Sequence, residues 1–246
     1  MDNINNIIPV NNCVILNLDS RTDLWDSLEN FRDLWKNQNK IVERIPGVDY
    51  RKQTHTINNL LKLNILNLNG CGFRNSKDAL LGEFGCFMGH YNCWKYIVNN
   101  KIDCCLILED GITILQDDLH KISINKSLDI LFINEEMKMD GYKKLIGYGT
   151  QGYIVTQKGA QKLIQKCYVL SMPIDLQIRN LCNSNEFIYS VTNNPYLKRD
   201  NNRISSIDFI KLNPQTNLND KQNQNSIIQR LFYNLLEKNV NLDEFI

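Results

Sequence analysis

Apolar positions along the chain follow two periods. Residues Cys13 to Leu18 (CVILNL) form a short apolar run that ends at Asn17-Leu18-Asp19-Ser20, which predicts a buried strand followed by a turn. Leu24, Leu28, Phe31 and Leu34/Trp35 then recur at helical spacing. Lys40 to Ile45 predicts a second strand, stopped by Pro46-Gly47. Ile57 to Leu68 carries apolar residues at mixed spacing and is assigned to a helix; Gly82 to Asn99 is a strong helical segment. The apolar strand Cys104 to Leu108 comes next, then strands at Asp129 to Ile133 and Gly152 to Thr156, and a helix over Lys158 to Cys167. Strands alternating with helices predict an α/β fold with a mostly parallel central sheet. No internal repeat interrupts the pattern.

After Leu212 the character of the chain changes. Asn213 to Asn225 is polar and reads as a linker. Ile227/Ile228, Leu231/Phe232 and Leu235/Leu236 then fall on one helical stripe behind a potential N-cap, Ser226. Residues 1–212 are therefore expected to form one domain, and 213–246 a linker and amphipathic helix. That helix would dock on the domain or on a second copy of the chain, so a homodimer through it is one expectation.

Composition narrows the function classes. The chain has 246 residues, 43% of them apolar, enough to bury a core at this length. Its 28 basic and 27 acidic side chains leave a net charge of +1, with no Lys/Arg run, so a general nucleic-acid binder is not expected. The first residues, Met1-Asp2-Asn3-Ile4-Asn5-Asn6, show neither a basic n-region nor an apolar h-region. No apolar run approaches the roughly 20 residues needed to cross a bilayer. The expectation is a cytoplasmic protein with reduced thiols at its eight cysteines. No C-x-x-C occurs and only three histidines are present, so a structural zinc site lacks its usual spacing. The 35 asparagines, with abundant Ile and Lys, fit an AT-rich source genome, such as a giant virus or AT-rich microbe, and carry no chemistry.

Three places carry candidate chemistry. Glu109-Asp110-Gly111 directly follows the apolar run at Leu106-Ile107-Leu108. In open α/β sheets ligands bind outside the carboxyl ends of strands, and adjacent carboxylates there suit a hard divalent cation holding a diphosphate. A solvated Asp-Gly turn is the plainer reading of the same residues. On the helix from Gly82, Phe87, Tyr91, Trp94 and Val98 share a narrow sector that reads as core, and Glu83, Cys86 and His90 lie beside it. Glu83 and His90 thus sit at the edge of the core and need polar partners, whether or not they also meet a ligand. Pro173-Ile174-Asp175 opens another helix; Asp175 there complements the helix dipole or serves as a general base.

These segments, in order, resemble glycosyltransferase family 25, which includes lipooligosaccharide and collagen galactosyltransferases. Val14-Ile15-Leu16-Asn17-Leu18-Asp19-Ser20-Arg21 is similar to the opening segment of the family, and Ile45-Pro46-Gly47-Val48-Asp49 to its next motif. Gly82-Glu83-Phe84-Gly85-Cys86 through Gly89-His90 and Trp94 is the strongest match, followed by Leu106-Ile107-Leu108-Glu109-Asp110. Gly149-Thr150-Gln151-Gly152-Tyr153 through Leu163, and Pro173-Ile174-Asp175, complete a resemblance over roughly residues 13–210. Three positions depart from it. Gly111 stands where the family has a second Asp, Gly89 where it has a Ser, and Leu24 where an Arg usually follows the opening segment.

The resemblance implies a GT-A-type, Rossmann-like nucleotide-sugar-binding domain. It implies transfer of a hexose, galactose or glucose, from a UDP-sugar to an acceptor hydroxyl, with inversion. Asn17, Asp19, Arg21 and Asp49 would surround the nucleotide, with Glu83 and His90 lining the donor pocket. Glu109 and Asp110 would hold Mn²⁺ or Mg²⁺, and Asp175 would deprotonate the acceptor, which is a glycan, a lipid-linked sugar or a protein. Gly111 motivates a second expectation, a degenerate member that binds a sugar nucleotide or glycan, or scaffolds a partner, without turnover. Phosphoryl transfer is disfavoured, since no G-x-x-x-x-G-K-[ST] loop occurs; a G-x-G-x-x-G dinucleotide fingerprint is also missing, because Gly147-Tyr148-Gly149-Thr150-Gln151-Gly152 fits the bare pattern but precedes a strand instead of following one.

Overall fold

The structure is a computed structural model that describes residues 6–47, 49 and 77–200. The helix expected over Ile57 to Leu68 and the linker and helix of 213–246 lie outside these residues. In chain order the elements begin with β1 (Ile7–Pro9), β2 (Asn12–Leu18), α1 (Thr22–Asp26), α2 (Glu29–Asn37), β3 (Ile41–Gly47) and α3 (Lys77–Asn99). There follow β4 (Cys104–Glu109), β5 (Ile112–Ile114), β6 (Ser123–Asn125), β7 (Ile130–Phe132), β8 (Lys138–Met139) and β9 (Leu145–Ile146). The last described elements are β10 (Gly152–Thr156), α4 (Gln157–Lys166), α5 (Ile174–Asn183), β11 (Tyr189–Val191) and β12 (Leu197–Arg199).

Six strands form the central sheet in the order β11-β7-β10-β4-β2-β3. Its pairs are parallel except at β10, which runs antiparallel to both β4 and β7. The sheet is thus mixed but mostly parallel, within the α/β class the sequence predicts. The reversal has a consequence for the site: the start of β10 lies at the same edge as the ends of β2, β3 and β4.

The strands read as unbroken apolar runs because helices or loops cover both faces, so neither set of alternating side chains meets water. On one face Val14, Leu16, Cys105, Ile107, Ile130, Phe132, Tyr153 and Val155 pack with α3, α4 and α5 around the fully buried Trp94. On the other, Cys13, Ile15, Leu106, Leu108, Leu131 and Ile154 pack with Leu28, Phe31 and Trp35 of the α1–α2 region. The aromatic sector of α3 behaves as its spacing predicts: Phe87, Tyr91 and Trp94 form a chain of ring contacts at 5.8 and 6.3 Å.

Three boundaries differ from expectation. β3 continues through Pro46 to Gly47, because an edge strand tolerates the missing N–H. The Leu24–Trp35 helical pattern divides into α1 and α2 where the Ser27 hydroxyl donates to the Leu24 carbonyl at 2.7 Å, a local bond that competes with helix continuation. The α3 helix begins at Lys77, before Gly82. The seven described cysteines are unpaired. Among the described residues no helix is long and apolar enough to cross a membrane.

The first turn of α4 shows how closely a helix seats on the sheet. Thr156 caps it, its Oγ1 accepting from the Gly159 amide at 3.1 Å. A β-carbon on Gly159 would lie 2.2 Å from the Asp129 carbonyl oxygen. Gly159→Ala is therefore expected to destabilise the fold by about 1–3 kcal/mol, as overpacking against backbone does. Gly141→Ala, in open space, should change stability by less than about 0.5 kcal/mol. Urea denaturation of the two variants checks the contrast.

Candidate functional site

The alternation of the sheet dictates the site. Along β4, Cys105 and Ile107 face α3, and Glu109 continues that row; Cys104, Leu106 and Leu108 face the α1–α2 side, and Asp110 follows them. Adjacent carboxylates at the strand end are thus turned to opposite faces and acquire different partners.

Glu109 is held on the α3 side. Its Oε1 accepts from Thr150 Oγ1 at 2.7 Å and lies 3.2 Å from His90 Nε2. Burial pushes its carboxyl up, but its hydrogen-bond and electrostatic interactions with His90, the bond from Thr150 and the charge of Arg199 outweigh it, leaving the group below the usual glutamate value. His90 is wholly buried, with Nδ1 3.0 Å from the Tyr153 hydroxyl.

Asp110 is held on the other side, where Asn17 Nδ2 donates to Oδ2 at 2.7 Å. Asn17 is itself buried and donates to the Arg21 carbonyl at 2.9 Å, while its Oδ1 accepts from Arg44 Nε at 2.8 Å. Arg44 also pairs with Asp19 at 3.2 Å. Burial foremost, helped by the charge of Glu109, raises the Asp110 carboxyl to about 6, against the hydrogen bond from Asn17 and the charge of Arg21. The carboxylate pair is therefore split, with one member fully compensated and the other short of positive charge.

A loop between β9 and β10 joins this edge to α5. Gly147 and Gly149 have φ of +91° and +107°, a region L-residues rarely adopt. That conformation turns the Gly149 amide onto Asp175 Oδ2 at 2.9 Å, and the next residue, Thr150, reaches Glu109. Arg179 Nη1 grips the Gly147 carbonyl at 2.9 Å. Asp175 lies in the first turn of its own helix, where Oδ1 accepts from the Leu176 amide at 2.8 Å.

Of the residues singled out in the sequence, Asn17, Asp19, Arg21, Asp49, Glu109 and Asp110 all lie at the ends of parallel β2, β3 and β4. Asp175 joins them through the glycine loop. Asp19 has a side chain 77% exposed and Asp49 is half-buried. Glu83 and His90 are buried, and His90 reaches the edge only by way of Glu109. Cys86, one helical turn before His90, completes a group in which its Sγ, a ring nitrogen of His90 and a carboxylate oxygen of Glu109 lie within 4.8 Å of one another. Burial and the charges of Glu109 and Asp175 push the Cys86 thiol well up, so it stays neutral. Spacing alone missed Arg44, which faces Ile15 across the β2–β3 ladder, and Thr150, which is unmarked except within the Gly149-to-Tyr153 motif.

Gly111 and Gly89, two of the departures, have different surroundings. A β-carbon on Gly111 would meet nothing within 4 Å, whereas one on Gly89 would come 2.6 Å from the Leu16 side chain. Leu24 is a core residue at 2% exposure.

The raised carboxyl of Asp110 has a testable sign. An unfolded aspartate loses its proton near 3.8 and the folded Asp110 near 6. Stability therefore falls as pH rises across that window, and the penalty is complete above it. Asp110→Asn is expected to be more stable than the parent by about 1–3 kcal/mol at pH 7.5, with the advantage shrinking as pH falls through 6 towards 4. Thermal denaturation across this range measures it.

Comparison with known proteins bears on this arrangement. The family model of glycosyltransferase family 25 (LPS biosynthesis protein) matches residues 15–145. Human procollagen galactosyltransferase 2 is 28% identical over 176 residues, 61% of this chain and 26% of that protein. Procollagen galactosyltransferase 1-B of Xenopus laevis is 32% identical over 103 residues, 34% of this chain and 17% of that protein. The chain thus spans about a quarter or less of the length of these relatives. Among solved structures, a Drosophila β1,4-galactosyltransferase 7 mutant in complex with manganese, UDP-Gal and xylobiose is a distant likeness, with 13% identity and a TM-score of 0.42 over 86% of this chain and 78% of that one. With the motifs at the strand ends and a family match that includes more than half of its residues, this chain belongs to glycosyltransferase family 25.

Proposed function

We propose that the protein transfers a hexose, galactose or glucose, from a UDP-sugar to the hydroxyl of an acceptor, with inversion at the anomeric carbon. The observation that supports this most is that the glycine loop ties Asp175 to Glu109, the neighbour of Asp110, at one sheet edge. The donor nucleotide lies along the ends of β2 and β3, among Asn17, Asp19, Arg21 and Asp49. Glu83 and His90 back the donor pocket from inside α3. The acceptor is a glycan, a lipid-linked sugar or a protein.

The residues present suit a hard divalent cation, Mn²⁺ or Mg²⁺. Asp110 offers an oxygen ligand with too little compensating charge, and open space lies beside it at Gly111. Asp110 would hold the ion, with Glu109 adding its charge from the opposite face. When bound, such an ion neutralises charge on the departing diphosphate. Asp175 accepts the proton of the acceptor hydroxyl; the acceptor oxygen bonds to the anomeric carbon, and the bond to the nucleoside diphosphate breaks. The amides of Gly149 and Leu176 hold the Asp175 carboxylate in place for that transfer.

Release of UDP from UDP-galactose and UDP-glucose, with Mn²⁺ and with or without acceptor sugars, tests this reading. Turnover of one donor is expected. No release from either donor, together with no donor binding by calorimetry, overturns it. Asp175→Asn is expected to lower turnover about 100-fold or more while donor affinity is kept, whereas Asp110→Ala should abolish the Mn²⁺ dependence of donor binding. Gly111→Asp fits without a clash and should tighten Mn²⁺ binding about tenfold or more. A large gain of turnover in that variant would mark the natural chain as a weak catalyst and favour the sugar-nucleotide-binding reading.

A further inference from the structure

The face of Glu109 that meets α3 is the end of a longer row of buried polar groups. Trp94 Nε1 donates to the Tyr153 hydroxyl at 2.8 Å, that hydroxyl lies 3.0 Å from His90 Nδ1, and His90 Nε2 lies 3.2 Å from Glu109 Oε1. Trp94, Tyr153 and His90 are each 0% exposed, so water does not enter the count. The direction of every bond then follows from what each group can do.

An indole N–H only donates. The Tyr153 oxygen therefore accepts from Trp94, and its single proton needs an acceptor. The unprotonated Nδ1 of His90 is the acceptor in reach. With its Nδ1 accepting, a neutral imidazole carries its proton on Nε2, and that proton meets the carboxylate of Glu109, which is acceptor-only when ionised. The opposite assignment, a proton on Nδ1, would make Tyr153 accept twice and strand its own hydroxyl proton in the core, at the cost of an unsatisfied buried donor.

We infer that Trp94 and Tyr153 are positioning residues: their hydrogen bonds fix His90 as the neutral Nε2–H tautomer, whose proton holds Glu109 through Oε1 and leaves Oε2 for a ligand. Two features agree. Thr150 also donates to Oε1, so both protein donors converge on one oxygen, and Oε2 accepts from no described residue. The same arrangement removes His90 from the group it forms with Cys86 and Glu109 as a cation ligand, because neither ring nitrogen has a lone pair to spare. His90 is likewise unable to act as a general base. Its service to the site is indirect, through the direction of one N–H.

The role at the site rests on the proposed donor-binding function; the tautomer does not, and the two are tested separately. Long-range ¹H–¹⁵N spectra of the full chain, labelled at histidine, distinguish a protonated from an unprotonated ring nitrogen. With only three histidines, His55→Gln and His120→Gln assign His90 by elimination. The expected spectrum shows His90 with Nδ1 bare and Nε2 protonated. A proton on Nδ1, or on both nitrogens, overturns the inference, whether or not any variant folds. Tyr153→Phe removes the hydroxyl at nearly constant volume. It should bring the second tautomer into the His90 spectrum and weaken binding of UDP with Mn²⁺ about tenfold, the scale typical of groups that orient a ligand-binding residue. An unchanged tautomer, or unchanged UDP affinity, in the folded Tyr153→Phe variant overturns it. If the parent chain binds no UDP, the donor reading fails, and the His90 spectrum still decides the relay.

Discussion

The charged residues at the end of a strand buried on both faces are only partly exposed, so protein partners must offset most of the cost of their burial, and this constraint organises the site. β4 lies between β2 and β10 at the centre of the sheet. Its alternation turns Glu109 into the α3 layer and Asp110 towards the layer of α1 and α2. On the first face the cost of burial is offset by Thr150 and His90. On the second it is offset only in part by Asn17, which is why the Asp110 carboxyl sits near 6. The imbalance leaves one carboxylate fixed and the other able to gain from a cation.

The antiparallel β10 contributes to the same edge. A sixth parallel strand would present its C-terminal end at this edge. The reversed strand presents its start, and with it a loop whose two left-handed glycines aim one amide at Asp175 and one hydroxyl at Glu109. The loop is also gripped from α5 by Arg179, and β9, which leads into it, by Asn183. A short segment thereby connects the strand that carries the acidic pair to the helix that carries the third carboxylate.

The sequence revealed the parts whose signal is local. The runs at Cys13–Leu18, Cys104–Leu108 and Gly152–Thr156 are continuous because both faces are buried, and the aromatic sector of α3 repeats at helical spacing; each appears where its pattern predicts. Strands of two or three residues, such as β5, β8, β9 and β12, are too short to show a period and are defined by their partners. The direction of β10 was hidden for a related reason, since an apolar run reads the same both ways. At the site, Glu109 and Asp110 were legible as a pair, but their separation onto two faces needed the register of β4. Arg44 and Tyr153 were silent, because an arginine on an edge strand and a tyrosine in a core strand look ordinary until their partners are known. Asp175 was legible as an acid in the first turn of a helix, with its place beside the acidic pair implied by the order of motifs, whereas Thr150 lay unmarked inside a motif.

Glycosyltransferase family 25 membership is thus joined to a definite physical arrangement, in which the ends of β2, β3 and β4 form the proposed donor edge. The most direct test is crystallographic. Crystals grown with Mn²⁺ and UDP, measured at the manganese absorption edge, should show an anomalous peak within bonding distance of a carboxylate oxygen of Asp110, with the diphosphate beside it and the uridine over the ends of β2 and β3. Manganese and UDP bound at another edge of the sheet, or a diphosphate that lies at this edge without approaching Asp110, is incompatible with a site built around the split carboxylate pair.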